Sequence, residues 1–383
     1  MSYNPSILKS SKVAFVSGCT GITGYAITEH LIRKPKDEWS KIVISSRKRP
    51  TVYWSDPRVE WVSIDFLKPV EEIVDALNPF CKDVTHAFFS SYIHAEDLSK
   101  LPEKNVPLFK NFVDAIEIVS PKLQRISLQT GGKYYGLFPR AIPLTEDMPR
   151  YDDKGTNFYY PQEDYLAEAQ KRSDGRWFYN VFRPNAVIGF TPQANGMSVG
   201  LSMAIYLLVH AELGQVPLFP GSEHALNSPE DVSYPPGMAD MTLWATTQEN
   251  TKNEAFNCCI GDPFIWRFMF PKLAKHFGVE VSEDQVQVLL GSSQEWAKDK
   301  REAWISLTSK YGGDPTAFDW CTWDMFTWCM DRKYTPWSSI NKAKRLGWTR
   351  QDFAFDIWVE AFRSFENAGV LPKASSVRAR LEG

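Results

Sequence analysis

Lys12-Val13-Ala14-Phe15-Val16-Ser17-Gly18-Cys19-Thr20-Gly21-Ile22-Thr23-Gly24 is the stretch that decides the fold. An apolar run of strand length ends at Gly18. A helical pattern follows from Thr23 to Arg33, with Ile27, Leu31 and Ile32 on one side. The pattern predicts strand, tight turn and helix. Gly18, Gly21 and Gly24 divide the work of that turn. One permits the sharp reversal, one lets the backbone approach a pyrophosphate, and one lets helix and strand pack closely. The phosphates then face a helix N-terminus, where unpaired amides and the helix dipole favour an anion. Glycine spacing alone is weak evidence, but after a strand and before a helix it predicts a dinucleotide site, with Thr20 and Ile22 among its contacts.

Working outward, further strands are expected at Lys41–Ser46, Trp61–Asp65, Thr85–Ser90, Arg125–Gln129 and Trp177–Arg183. Helical patterns lie between them, notably at Glu71–Leu77 and Asn105–Val119. Alternating strands and helices predict an α/β fold, a doubly wound parallel Rossmann sheet with helices on both faces. The strand order stays open. Glu254–Asp262 reads as a seventh strand returning to that sheet. We therefore expect a dinucleotide-binding domain over residues 1–190, its sheet completed by about 254–262. Residues 191–383 form a smaller, mainly helical part for substrate binding and a lid. Eight of the fourteen tryptophans fall between Trp296 and Trp358. They either anchor a small helical core or roof an apolar ligand.

The cofactor type is read after the second strand. Ser45-Ser46-Arg47-Lys48-Arg49 offers three cations and no carboxylate. A carboxylate there would repel a 2′-phosphate, whereas an Arg fork pairs with one. NADPH is therefore favoured over NADH, with Ser46, Arg47 and Lys48 as candidate contacts; the alternative is a solvated basic turn. Asp65, with Phe66 beside it, either accepts from the adenine amino group or only turns the chain.

The bulk numbers narrow the remaining classes. A chain of 383 residues can bury a sizeable core. A formal charge of −3 gives no basic surplus for a nucleic-acid backbone. The six cysteines show no metal-ligand spacing, no histidine cluster is present, and no metal is expected. Cys258-Cys259 reads as two buried thiols, which suits a reducing, cytoplasmic setting. Met1 to Lys12 lacks the apolar core of a secretory signal. Met197 to Ala211, the most apolar stretch, is shorter than the ~20 residues of a membrane span. It reads as a buried or pocket-lining helix, with a monotopic membrane contact as the alternative. No stable membrane insertion is expected. The tail from Lys373 to Gly383 is expected to fray.

Two further segments carry chemistry: Ser127-Leu128-Gln129-Thr130-Gly131-Gly132-Lys133-Tyr134-Tyr135 and Asn157-Phe158-Tyr159-Tyr160-Pro161-Gln162-Glu163-Asp164. A Lys and a Tyr could exchange protons beside a nicotinamide. Yet none of the fifteen tyrosines has a Lys four residues on, and Tyr159 meets Glu163 at that spacing. With Arg-Pro-Asn-x-Val-Ile-Gly-Phe from Arg183 and Asn-Glu-Ala-Phe-Asn from Asn253, these segments occur in one order. The set resembles the progesterone 5β-reductase/iridoid synthase family of atypical extended short-chain dehydrogenases, from Val13 to about Pro372. The resemblance implies NADPH-dependent 1,4-reduction of enones and enals. It implies Tyr159 as hydrogen-bond donor and Lys133 as its partner, with Gln129 among the cofactor contacts. Ser90 and Ser91 would border the nicotinamide ribose, and Pro184, Asn185 and Val187 would flank the ring. Residue by residue, Tyr159 could instead be an aromatic packing residue and Lys133 a solvated loop cation.

The chain departs from that family in two places beside the substrate. The Lys133-to-Tyr159 interval of twenty-six positions is shorter than in the plant members, and Ser90-Ser91-Tyr92 replaces a Thr-Trp-Ala kind of segment. Steroid or iridoid specificity is therefore not carried over. The expected partner is a hydrophobic small-molecule substrate, with the chain a monomer or homodimer. Alternatives are direct 1,2-reduction of a carbonyl, a redox-neutral cyclase or isomerase, and a regulator that senses NADP without turnover. Keeping both Lys133 and Tyr159 argues against a sensor.

Overall fold

The computed structural model describes residues 11–51, 54–94, 97–195 and 198–381. The expectations for Met1–Ser10, for Met197 and for the final two residues lie outside them. Strands β1 (Lys12–Ser17), β2 (Trp39–Ser46), β3 (Val59–Ser63), β4 (His86–Phe89), β5 (Arg125–Gln129) and β6 (Phe178–Arg183) form one sheet with a later strand. Between β6 and that strand lies β7 (Pro229–Glu230); the strand itself is β8 (Glu254–Asn257). The parallel seven-stranded sheet runs β3-β2-β1-β4-β5-β6-β8. A separate antiparallel ribbon pairs β7 with β9 (Phe264–Ile265). The order reverses at β1, whose Ala14 faces Ile42 on one side and His86 on the other. At such a switch point the loops leaving β1 and β4 flank a crevice in which ligands bind.

Helices α1 (Ile22–Ile32), α2 (Val70–Cys81), α3 (Leu101–Val119) and α4 (Tyr159–Arg172) follow in chain order, then α5 (Val199–Leu213). The second strand starts two residues before its expected position, at Trp39, and the fourth and sixth are trimmed by single residues. The third and seventh differ for identifiable reasons. The third starts at Val59 and stops at Ser63, because the Asp65 carboxylate accepts from the Leu67 amide and turns the chain. The seventh stops at Asn257, because Ile260 N donates to Val232 O and Gly261 takes a left-handed φ of 74°. The tail beyond Lys373 is helical over Ala374–Leu381, not frayed, since Ala374 and Val377 are buried.

The chain forms two compact units. The first comprises the described residues of Met1–Gln129, Asp153–Val181 and Thr242–Glu254. Its core holds an aromatic cluster in which Phe112 meets Phe15, Phe89 and Phe109 at 6.0, 4.9 and 6.2 Å. Residues 242–254 complete its polar bonding. Arg125 donates to Gln248 O, Asn180 to Thr251 O and Gln129 to Thr242 Oγ1, while His86 Nε2 lies 3.1 Å from Thr246 O. Burial lowers the pKa of His86 to about 3.

The second unit comprises the described residues of Thr130–Asp152, Phe182–Met241 and Ala255–Gly383. At its centre α5 is buried at every position from Val199 to Ala211, as an all-round apolar helix must be. Ser198 caps its first turn through Leu201 N, and Gly214 ends it in the left-handed conformation. Trp304 and Trp358 are fully buried in the same core, whereas Trp328 is exposed.

Candidate active site

The turn after β1 is built from backbone. Gly18 has a φ of +66°, and a Cβ there would lie 2.8 Å from Ser90 O. A Cβ on Gly24 would lie 2.3 Å from Gly18 O and 2.7 Å from Ser90 Oγ. The loops leaving β1 and β4 are therefore in close contact, and Ser90 bonds Ser17 twice, at 3.1 and 2.5 Å. Gly21 is different. Its φ is an ordinary −79°, and an added Cβ would meet only Gly18 O, at 3.3 Å. Gly21 caps α1 without any side-chain bond to the first-turn amides. Cys19 between them is buried, and burial pushes its thiol up to about 11. Thr20 and Ser91 are half-buried, and the Ile22 side chain packs inward at the start of α1.

The residues after β2 and β3 come next. Arg47, Lys48 and Arg49 are exposed, while Ser46 is half-buried. Phe66 is buried, with its ring 5.5 Å from that of Phe112, so only its backbone remains for a cofactor. One oxygen of Asp65 is spent on Leu67 N. Gln129 ends β5, and its Oε1 is buried with no hydrogen-bond partner among the described residues. Such an orphaned acceptor is costly unless a ligand or water supplies a donor. The glycine turn, the uncapped α1 terminus, the exposed cations and Gln129 Oε1 all fit a phosphorylated dinucleotide.

Tyr159 opens α4, where its amide donates to Asn157 Oδ1 at 3.3 Å, and Asn157 N in turn donates to Asp153. Its ring lies 4.4 Å from that of Phe158. Burial, and to a lesser extent the nearby Tyr92 hydroxyl, raise its pKa above the usual phenol value. Tyr159 as a whole is half-buried.

Lys133 lies in the second unit, on a 3-10 turn, Gly132–Tyr135, that follows β5. Gly132 N donates to Pro184 O at 2.6 Å, and a Cβ on Gly132 would sit 2.6 Å from Asn185 Oδ1. Asn185 is itself held by Ser233 Oγ, Asp231 O and Pro336 O, and Val187 bridges to Ser233. The Asp231 side chain is fully buried and accepts from Gly261 N. Burial pushes its carboxyl up to about 7. The aromatic half of the turn is locked by Arg183, whose guanidinium lies 3.3 Å from the Tyr134 ring centroid. Arg183 also donates to Tyr135 Oη and Glu146 O, and Tyr135 Oη donates to Asn257 Oδ1 at 2.6 Å. Burial raises the Tyr135 pKa, so that donor stays protonated. Arg183 went unnominated in the sequence, although it opens the Arg-Pro-Asn segment; a cation ending an apolar strand was the available signal.

Among the described residues no cluster of His, Cys, Asp or Glu could hold a metal, and no helix is long and apolar enough to cross a membrane. The family model for a PRISE-like Rossmann-fold domain matches residues 14–330. A short chain dehydrogenase of Penicillium aethiopicum, gsfE, is 37% identical over 94% of this chain and 100% of its own length. An (S)-8-oxocitronellyl enol synthase of Nepeta cataria is 32% identical, covering 92% of each chain. A 3-oxo-Δ4,5-steroid 5β-reductase of Arabidopsis thaliana is 31% identical, again over 92% of each. Among solved structures, the UDP-glucose 4-epimerase of Thermotoga maritima superposes with a TM-score of 0.64 at 13% identity, covering 92% of this chain and 99% of that one. That likeness is one of fold.

Proposed function

The chain belongs to the PRISE-like Rossmann-fold family and is an oxidoreductase of the short-chain dehydrogenase kind, and from that membership we propose that it reduces the C=C bond of an α,β-unsaturated carbonyl with NADPH. The substrate is an apolar enone or enal. The observation that carries this reading is Tyr159, a phenol at the start of α4, anchored through Asn157 and packed on Phe158. Relatives bearing a steroid 5β-reductase name and an enol synthase name support a conjugated carbonyl as target.

In this reading the first-turn amides of α1 hold the pyrophosphate, and Arg47 with Lys48 holds a 2′-phosphate. Asp65 and the backbone of Phe66 border the adenine. Gln129 Oε1 takes a hydroxyl donor of the cofactor, while Ser90, Ser91, Pro184, Asn185 and Val187 border its nicotinamide end. When bound, NADPH would supply the hydride that the β-carbon takes. Tyr159 donates a hydrogen bond to the carbonyl oxygen, where negative charge collects as the C=C electrons move, and a proton from solvent then adds at the α-carbon to give the saturated carbonyl. Lys133 adds a positive field that favours the developing anion.

The test is NADPH consumption with a panel of enones, enals and saturated ketones, with product identification. Saturated carbonyl products from conjugated substrates support the reading. Turnover of saturated ketones alone would replace it with 1,2-reduction, and tight NADPH binding without turnover would replace it with sensing. Tyr159→Phe should cut the chemical rate by about 10²–10³ and leave NADPH affinity unchanged; wild-type turnover would remove Tyr159 from the mechanism.

A further inference from the structure

The basic turn after β2 is held in an unusual way for an exposed loop. Three successive carbonyl oxygens, those of Ser46, Arg47 and Lys48, each accept a hydrogen bond. Ile64 N donates to Ser46 O at 3.2 Å, continuing the β2–β3 ladder beyond the end of β3. Ser63 Oγ donates to Arg47 O at 3.1 Å. Ser46 Oγ donates to Lys48 O at 2.6 Å, and Ser46 Oγ itself accepts from the indole Nε1 of Trp61 at 3.0 Å. The hydroxyl proton of Ser46 is thus committed to the backbone and is not available to a phosphate. What the turn offers an anion is the exposed side chains of Arg47, Lys48 and Arg49.

A carbonyl oxygen carries partial negative charge, so three of them in a loose loop would compete with a phosphate for the same cations. Tying each to a donor removes that competition. It also holds the backbone in one conformation before binding, which lowers the ordering cost at the moment of binding. One of these donors, Ser63 Oγ, is a side chain on β3, and another, Ser46 Oγ, is itself held by Trp61 on β3, a strand with no direct cofactor role in the reading above.

We propose that Trp61 and Ser63 are positioning residues that set the specificity of this site for a 2′-phosphomonoester. Trp61 acts through Ser46 on Lys48, and Ser63 acts directly on Arg47. The proposal rests on the NADPH reading, and the wild-type protein separates the two. If wild type binds 2′,5′-ADP no more tightly than 5′-ADP, the NADPH reading fails and this proposal falls with it.

The experiment is calorimetric titration of the intact chain with 2′,5′-ADP and with 5′-ADP, which needs no turnover. Trp61→Phe keeps the ring and removes the N–H; Ser63→Ala removes the hydroxyl at an exposed strand end where folding is not at risk. Each variant should weaken 2′,5′-ADP by roughly three- to tenfold, the scale of one lost hydrogen bond. Affinity for 5′-ADP should stay within about twofold, and Ser63→Thr should restore binding of 2′,5′-ADP. Equal losses for both nucleotides would assign the two residues a merely structural role and overturn the proposal. Unchanged affinity for 2′,5′-ADP in a wild type that prefers it would overturn it as well.

Discussion

Two turns in this molecule leave the carboxyl end of a sheet strand and carry candidate site residues, and they are built from different materials. The turn from Gly18 to Gly24 is held mainly by main chain, with Gly21 N donating to Gly18 O and Ser90 O pressed against Gly18. The side chains that brace it are the short hydroxyls that join Ser17 and Ser90. The turn from Gly131 to Gly136 is held by side chains from distant segments: Arg183 on Tyr134, Asn257 on Tyr135, and Asn185 behind Gly132. The contrast follows from what each presents. An anion is met by amides, which every residue owns, so small residues suffice. A single ammonium in a fixed place needs a rotamer and a backbone fixed from outside, and that takes a buried polar network.

The contrast can be tested by breaking each turn in its own terms, beginning with the largest effect. Arg183→Leu removes the cation over Tyr134 and the donor to Tyr135 Oη and Glu146 O, so it should cost about 2–4 kcal/mol by urea unfolding. A loss under about 0.5 kcal/mol would mean the network does not hold the turn. Gly24→Ala should cost about 1–3 kcal/mol, because its new methyl meets the Gly18 carbonyl. It should also abolish NADPH binding in the same titration.

A pH experiment sharpens the network side. Burial lifts Asp231 to about 7, above the usual carboxyl value, so between roughly pH 4 and 7 the folded chain keeps a proton that the unfolded chain releases. The stability from that proton is complete below about pH 4 and is lost as pH rises to about 7. Asp231→Asn should therefore be more stable than wild type by about 1–3 kcal/mol at pH 8, with the gain shrinking toward pH 5. A gain that grew on acidification would contradict the sign.

Gly21→Ala is the smallest perturbation and the most selective. With ordinary φ and one contact at 3.3 Å, its effect on stability should stay within about 0.5 kcal/mol. NADPH affinity should nonetheless fall, since the methyl stands where the backbone must approach a phosphate. Unchanged affinity would place the pyrophosphate elsewhere.

The same contrast explains what could be read from the chain before its structure. The β1 turn is local, and thirteen consecutive residues, Lys12 to Gly24, contain its strand, its glycines and the start of its helix. Strand positions were legible for the same reason, through runs such as Lys12–Ser17 and Arg125–Gln129 that match β1 and β5 end to end. Ends decided by single hydrogen bonds were not legible, as at Asp65, whose carboxylate stops β3 early. The support of the Lys133 turn was illegible as well. Tyr135 and Asn257 are 122 positions apart, and no periodicity announces a bond between them. Phe66 differs again: its side chain belongs to the core, which leaves its backbone as the part next to Asp65 that a cofactor could meet.

The placement of residues 242–254 within the first unit has a consequence for how the protein is made. Arg125, Gln129, Asn180 and His86 each find a polar partner in that segment. A ribosome that has finished β5 must still add 125 residues to reach Glu254, on the order of ten seconds at usual synthesis rates. During that interval the nascent sheet carries a buried guanidinium, an amide and an imidazole whose partners do not yet exist. The N-terminal half should therefore emerge as a chaperone client, and native closure of its sheet should wait until two-thirds of the chain has been translated.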